Sequence, residues 1–253
     1  MPKDKDLKKL VRARMAKTDE SYSTARLRLA GATVSRGALP LSTCSDLEAP
    51  PAPAIYQVRI ALSEIAPAIW RRLLVPADTS LAHLHHIIQA AFGWWDYHLH
   101  QYIVDERYFG DPNPEFADEL PPMTDEREAS LRDIVGAKEI IYEYDFGDRW
   151  RHIIEIESVA VVPEAGMRYP ACTGGARSRP PEDCGGASGY EELLQVLADP
   201  DHQEYASMKT WVGKKFAPER FDPAETNRAL QKVRRREPRR SRSKRDDRGP
   251  IVP

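Results

Sequence analysis

The chain has 253 residues, of which 41% are hydrophobic and 30% are charged, with a formal net charge of -2. This composition is typical of a globular protein and excludes fibrous and membrane-spanning classes, since no apolar run approaches the ~18 residues that a spanning helix needs. Residues 1–15 lack the hydrophobic stretch of a secretory signal, which predicts a cytoplasmic protein with no membrane partner. The three cysteines form no CxxC pair, so neither a disulfide framework nor a zinc ribbon is indicated.

The net charge conceals three segments of different sign. Residues 1–54 carry a net charge of +4, residues 55–231 carry -13, and residues 232–253 carry +7. The first segment predicts a basic helical arm followed by a proline-rich linker, and the second predicts the folded domain. The last is rich in Arg and Ser without apolar periodicity, which predicts a disordered basic tail.

The folded domain opens with two runs typical of strands. Tyr56 to Leu62 alternates apolar and polar residues, and Ile69 to Val75 follows a turn that contains Pro67. A helix is then predicted from Leu81 to Phe92, with capping oxygens before it and Gly93 after it.

The second half of the domain continues the pattern of hairpins and helices. We expect a strand over His98 to Asp105, then a long acidic loop over 111–128, and a hairpin over 139–159 that turns at Gly147 and Asp148. A Gly/Pro-rich loop over 172–189 leads into a helix with Tyr190, Leu193, Leu194 and Leu197 on one face, and one or two more helices follow up to about Val233. These elements predict an α+β fold, with a mostly antiparallel sheet of hairpins and helices packed on it.

Aromatic residues recur on the predicted strand faces and next to the first helix. Because aromatic side chains bury large areas, we expect them to form the main aromatic core between sheet and helix. The residues concerned are Trp70, Trp94, Trp95, Tyr142, Tyr144 and Trp150.

Three stretches resemble the plasmid pRiA4b ORF-3-like protein family, in which some proteins carry an insertion-element or resolvase-type label. They are IWRRLLVPADTSLAHLHHIIQAAFGWWDYHLHQY (69–102), YEYDFGDRWRHIIEIE (142–157) and PPEDCGGASGYEELL (180–194). The resemblance implies an α+β domain in a bacterial, plasmid or mobile-element setting. It carries no established reaction across, and it leaves the arm and the tail outside.

Because of the resolvase-type label, we compare the sequence with the catalytic residues that a recombinase needs. Tyrosine recombinases neutralise the phosphorane charge with Arg and His-x-x-Arg groups, yet none of the seven histidines is followed by Arg three residues later. The acidic domain is also a poor surface for DNA, whose phosphates dominate affinity. Both observations argue against catalytic recombination.

A metal site is the sharper chemical hypothesis. His98 and His100 would point to one face of a strand, and two imidazoles with Asp oxygens suit a divalent transition metal. The carboxylate and imidazole groups around the second hairpin and the Gly/Pro loop complete the candidate set. Its residues are His98, His100, Asp145, Asp148, His152 and Asp183. The alternative is that the two histidines line a half-buried sheet face, while Asp148 serves the turn and Asp183 caps a loop.

Two functions therefore stay open at this point. The first is a binding or accessory module with a protein partner, which the arm and tail extend. The second is a metal-dependent hydrolase or nuclease that uses the His/Asp set. Arginines of the tail predict weak, sequence-independent binding of nucleic acid, through Arg234, Arg235, Arg236, Arg239, Arg240 and Arg242. The alternative is that the tail only folds back on the acidic domain or aids solubility.

Overall fold

The computed structural model describes residues 54–112, 121–162 and 164–234. The predicted helical arm, part of the acidic loop and nearly all of the predicted tail lie outside the described residues. The domain boundaries drawn from the charge pattern therefore stay predictions.

An eight-stranded sheet forms the centre of the fold. Its strands in chain order are β1 (Ile55–Leu62), β2 (Trp70–Pro76), β3 (His100–Val104), β4 (Arg107–Gly110), β5 (Met123–Asp125), β6 (Ile140–Tyr144), β7 (Trp150–Val161) and β8 (Ala171–Ala176). Their order in the sheet is β5-β4-β3-β6-β7-β1-β2-β8. All neighbours pair antiparallel except β4 and β5, which are parallel. The predicted α+β class and the mostly antiparallel sheet are confirmed.

Helices are formed by four segments of the described chain, and the first of them has the predicted caps. They are α1 (Leu81–Phe92), α2 (Gly186–Ala198), α3 (Tyr205–Val212) and α4 (Pro223–Arg234), with a 3-10 turn over Leu131–Ile134. At the start of α1 the Ser80 hydroxyl accepts a hydrogen bond from the backbone N–H of His83 at 3.2 Å, and Gly93 ends the helix with φ 85. None of the helices within 54–112, 121–162 and 164–234 is long and apolar enough to cross a membrane.

The core lies between the sheet and α1. Leu84, Ile87 and Ile88 of α1 form one apolar cluster with Val58 and Ile60 of β1, and all five are fully buried. Each such side chain contributes about 1.5–3 kcal/mol through removal of apolar surface from water. This burial fixes α1, and with it the segment after α1 that contributes to the site below.

The predicted aromatic core is confirmed in part. Trp94, Tyr142, Tyr144 and Trp150 are buried. Trp70 is only half-buried, and the prediction was wrong for Trp95, which is 60% exposed. Trp95 lies in the irregular segment after α1, where no helical or strand periodicity fixes which side chain points inward.

Strand β8 was not predicted, because its sequence ACTGGA carries no apolar alternation. Its glycines instead permit close packing. A Cβ on Gly175 would lie 2.6 Å from the Phe221 ring and 2.8 Å from the carbonyl oxygen of Trp70. A glycine pair in a strand therefore reflects close approach of neighbouring groups rather than a loop.

Candidate metal centre

Three separate segments of the chain bring one histidine and three carboxylates together. His98 precedes β3, Asp145 follows β6, and Glu182 and Asp183 lie in the loop before α2. The His98 Nε2 atom lies 3.6 Å from Oδ2 of Asp145, 3.8 Å from Oε2 of Glu182 and 3.9 Å from Oδ1 of Asp183. These four residues are called the His98 cluster below.

In Asp145 and Glu182, one carboxylate oxygen accepts hydrogen bonds from backbone N–H groups, and the other oxygen points toward His98. Oδ1 of Asp145 accepts hydrogen bonds from the backbone N–H groups of Gly147 at 2.8 Å and Asp148 at 3.2 Å. Oε1 of Glu182 accepts one from the backbone N–H of Trp95 at 2.8 Å. The inward atoms, Oδ2 of Asp145 and Oε2 of Glu182, are buried and have no hydrogen-bond partner within the described ranges. Buried oxygens normally have a hydrogen-bond partner, and the His98 imidazole lies within 4.0 Å of both without donating to either.

The two loops that carry these carboxylates are tied to each other. Oδ2 of Asp148 accepts a hydrogen bond from the backbone N–H of Gly185 at 2.9 Å. Gly186 has φ 72, and a Cβ there would lie 2.5 Å from the carbonyl oxygen of Asp148. Only glycine fits this position, so the contact fixes the distance between Asp145 and the loop of Glu182 and Asp183.

Burial disfavours the charged forms of the inner carboxylates. Desolvation raises the pKa of Asp145 to about 6, although the His98 imidazole opposes the shift. Desolvation likewise raises the pKa of Glu182, with the hydrogen bond from Trp95 opposing. A divalent cation at the cluster would reverse both effects by compensating the charge.

The donor spacing suits a metal ion. Two ligands at ~2.0–2.2 Å from one ion lie at most ~4.4 Å apart, and the distances from His98 Nε2 fall within that limit. One ligand atom each from His98, Asp145 and Asp183 lie within 4.8 Å of one another, a bound up to ~0.4 Å wider than that limit, and Glu182 is not in this group of three. One imidazole with carboxylate oxygens suits Mn²⁺, Fe²⁺ or Zn²⁺. The Asp183 side chain is 31% exposed, so the cluster is open to solvent on that side.

The sequence-predicted ligands divide into two groups. His98, Asp145 and Asp183 come together, and Asp148 supports them from the adjacent turn. The structure does not bring His100 or His152 into this cluster. His98 lies before the strand rather than in it, so the expected alternation with His100 does not apply.

His100 and His152 are engaged elsewhere. The Nε2 atom of His100 lies 2.8 Å from Oε2 of Glu126, and its ring stacks on His85 with centroids 3.6 Å apart. His152 is fully buried, and its Nε2 accepts a hydrogen bond from the indole N–H of Trp94 at 3.1 Å. Both imidazoles thus take part in hydrogen bonds that hold the fold.

A second group of possible ligands, His85, His86 and Asp96, differs in being internally satisfied. The amide of Gln89 donates to the Tyr142 hydroxyl at 2.9 Å, and that hydroxyl lies 2.8 Å from Nδ1 of His85. Nε2 of His85 lies 2.8 Å from Oδ1 of Asp96. These contacts fit one chain of donors and acceptors, Gln89 to Tyr142 to His85 to Asp96, which needs no ion.

Glu182 is the cluster member that the sequence did not single out as a ligand. It stands beside Asp183 in a Gly/Pro-rich loop, and that position was the available signal. In the predicted nucleic-acid set, Arg234 is the last residue of α4. The others, Arg235, Arg236, Arg239, Arg240 and Arg242, lie outside the described residues, so binding through the tail stays a prediction.

Comparison with known proteins gives consistent results. Residues 54–225 match the family model described as plasmid pRiA4b ORF-3-like protein. Uncharacterized protein y4hQ of Sinorhizobium fredii is 37% identical over 163 residues, which cover 63% of this chain and 81% of that protein. The crystal structure of a protein of unknown function, MM3350 from Methanosarcina mazei Go1, has a TM-score of 0.62 and 38% identity, and covers 68% of this chain and 97% of that one.

Proposed function

The chain belongs to the plasmid pRiA4b ORF-3-like protein family, and we propose that its folded domain is a binding module built around one divalent transition-metal ion. The ion is held by the His98 cluster. The family description names a plasmid reading frame, which supports a plasmid or mobile-element setting. The arm and tail would extend the contacts of this module to a protein partner and, weakly, to nucleic acid.

The inward oxygens of Asp145 and Glu182 carry the proposal. Each lies within 4 Å of the His98 Nε2 atom, while the second oxygen of the same carboxylate is hydrogen-bonded to backbone. Metal ligands are oriented in this way by their outer hydrogen bonds. A chain that needed these carboxylates only for folding would gain by pairing both oxygens.

Metal titration tests the proposal. After dialysis against a chelator, the full-length protein should bind one equivalent of Mn²⁺ or Zn²⁺ in calorimetry. An ion at a hundred times its Kd should also raise Tm by about 5–10 °C. His98→Gln and Glu182→Gln should each lower the affinity at least about tenfold.

His100→Gln and His86→Gln serve as matched controls, because each removes an imidazole that lies outside the His98 cluster. Both variants should keep the stoichiometry and affinity of the native protein. Less than about a tenth of an equivalent in the native protein, with no rise in Tm on adding either ion, would contradict the proposal.

Hydrolysis at the same ion is a second candidate, favoured by the partial exposure of Asp183. An ion that keeps an open coordination position can activate water as a nucleophile. The metal-loaded protein should then release nitrophenolate from bis(p-nitrophenyl) phosphate, and His98→Gln should abolish the release. Metal binding without turnover of this ester would leave the binding module as the function.

A further inference from the structure

A groove of about 570 Å³ lies beside the His98 cluster. Glu182 and Asp183 form part of its wall, so the groove and the cluster share these two carboxylates. Other wall residues include Trp95, Arg179 and Trp211. This volume is in the range of sites for small molecules, which is roughly 300–1,000 Å³.

Arg179 brings a positive charge to the groove, where it interacts electrostatically with the Glu182 carboxylate without forming an ion pair within 4.0 Å. Its Nε donates to the carbonyl oxygen of Gly93 at 2.7 Å, and its Nη1 donates to that of Pro180 at 2.6 Å. Within the described part of the chain, its Nη2 makes no hydrogen bond and no carboxylate oxygen lies within 4.0 Å of the guanidinium. Two donors thus hold the group in place while a third is available to an anion.

Arg71 is a second cation in the wall, and it is more deeply buried than Arg179. Arg71 is 4% exposed and donates to the carbonyl oxygens of Trp70, Ala91, Ala176 and Arg177. Among the residues that the structure covers, it has no carboxylate partner within 4.0 Å either. Because carbonyl oxygens occupy its donors, Arg71 adds positive potential to the wall but offers no contact to an anion, and Arg179 is the arginine that can make one.

Trp95 supplies an exposed aromatic surface beside these charges. Its side chain is 60% exposed, and the Arg179 guanidinium lies 5.4 Å from its ring centroid. The backbone N–H of Trp95 is the donor that holds Glu182. The aromatic ring, the cation and the metal ligand are therefore held by neighbouring contacts in one wall.

We infer that the groove binds a nucleoside monophosphate, with the phosphate bridging the metal ion and Arg179 and the base stacked on Trp95. The inference rests on the metal site proposed above. A phosphate dianion suits an ion and a guanidinium together, since both supply positive charge and Arg adds directed donors. Stacking on an exposed indole accepts any base, because every base has a π face.

Calorimetry on the full-length protein loaded with one equivalent of Mn²⁺ tests the inference. AMP, CMP, GMP and UMP are titrated separately, with adenosine and ribose 5-phosphate as half ligands. At least one nucleotide should bind, and each half ligand should bind at least about tenfold more weakly. Nucleotide binding of equal strength without metal would overturn the bridging role of the phosphate.

Two arginine variants give a matched comparison. Arg179→Gln should weaken nucleotide binding at least about tenfold, and Trp95→Ala should do the same. Arg220→Gln removes another arginine of the groove wall, but its Nη2 already pairs with Oε2 of Glu225 at 2.8 Å, so its effect should stay within about twofold. Equal losses in the two arginine variants would contradict a specific contact with Arg179.

Metal content separates this inference from the proposed function. Arg179→Gln should retain one equivalent of Mn²⁺ and an unchanged far-ultraviolet circular dichroism spectrum. If Arg179→Gln does not fold, Arg179→Lys replaces it in the test. This variant keeps the positive charge but loses the directed N–H donors of the guanidinium, so it should bind nucleotide at an intermediate strength. Normal metal binding with no response to any nucleotide, or a response only to an oligonucleotide, overturns the inference and leaves the metal site standing.

Discussion

At the scale of single residues, the His98 cluster differs from the rest of the buried polar network in how its charges are compensated. Glu143 is buried like Asp145, but its Oε2 accepts a hydrogen bond from Nε of Arg151 at 2.7 Å. Asp145 has no arginine or lysine partner within 4.0 Å in the described ranges. The His98 imidazole, 3.6 Å from Oδ2, is the group that compensates the Asp145 charge, and desolvation outweighs it because the pKa of Asp145 is raised.

Asp145→Asn should therefore stabilise the metal-free protein. The amide oxygen retains the hydrogen bonds from Gly147 and Asp148, while the buried charge is removed. We expect the free energy of unfolding at pH 7 to rise by about 1–3 kcal/mol in urea denaturation.

Glu143→Gln is the matched control, because it breaks a compensated pair and should lower the free energy of unfolding by a similar amount. If Asp145→Asn destabilises the protein as Glu143→Gln does, the Asp145 charge is compensated in the fold and the argument from burial fails.

His152 predicts a pH dependence of stability. Burial lowers its pKa to about 4, from an ordinary value near 6.5. The unfolded chain therefore takes up a proton below about pH 6.5 while the folded one does not. The stability contributed by neutral His152 is present above that pH and is lost as the pH falls toward 4.

Measurement against a variant isolates this effect from other titrating groups. Between pH 7 and pH 5, the native protein should lose about 2 kcal/mol of unfolding free energy relative to His152→Gln. Urea denaturation at both pH values gives the difference. A constant difference between the two proteins would show that folding does not change the pKa of His152.

At the scale of elements, periodicity predicts most strands and the first helix but not the positions that close packing decides. Alternation predicted β1, β2, β6 and β7, since each has a buried face. The glycines of β8 gave no such pattern.

Members of the His98 cluster could be predicted from the sequence where they stand in a turn or in a Gly/Pro-rich loop, as Asp145 and Asp183 do. To decide which of His98 and His100 joins the cluster, one must know at which residue β3 begins, and periodicity does not determine that residue.

The contact between the two ligand loops can be tested at Gly186. Gly186→Ala forces a Cβ toward the Asp148 carbonyl at a positive φ, so the loops must separate. We expect a loss of about 1–3 kcal/mol in unfolding free energy, and metal affinity at least about tenfold lower.

Gly136→Ala provides the control, because nothing lies within 4 Å of a Cβ at Gly136 and its φ is not positive. It should leave both the stability and the metal affinity nearly unchanged. Equal metal affinity in the two alanine variants would mean that the loop contact does not position the ligands.

At the scale of the whole molecule, the distribution of charge separates an acidic domain from a basic extension. Residues 235–253 carry a net charge of +5, whereas residues 55–231 carry -13. Because α4 continues to Arg234, the tail is best removed after that residue rather than at the predicted boundary of 231.

The protein truncated after Arg234 should lose its affinity for unrelated DNA sequences. In the full-length protein the logarithm of the binding constant should fall linearly with the logarithm of salt concentration, since arginines displace counterions. Electrophoretic or anisotropy assays at two salt concentrations measure this slope. An unchanged affinity and slope after truncation would place the nucleic-acid site in the remaining chain.

The hydrogen bond from Trp95 to Glu182 has an optical consequence. The Glu182 carboxylate accepts a hydrogen bond from the backbone N–H of Trp95 and also belongs to the His98 cluster. An ion bound at the cluster would therefore change the surroundings of Trp95, whose indole is a solvent-exposed fluorophore. Zn²⁺, which is diamagnetic, should shift the emission of Trp95, and paramagnetic Mn²⁺ should quench it. Trp95 would thus act as an intrinsic fluorescent reporter of the proposed ion, and its part of the signal should disappear in Trp95→Phe.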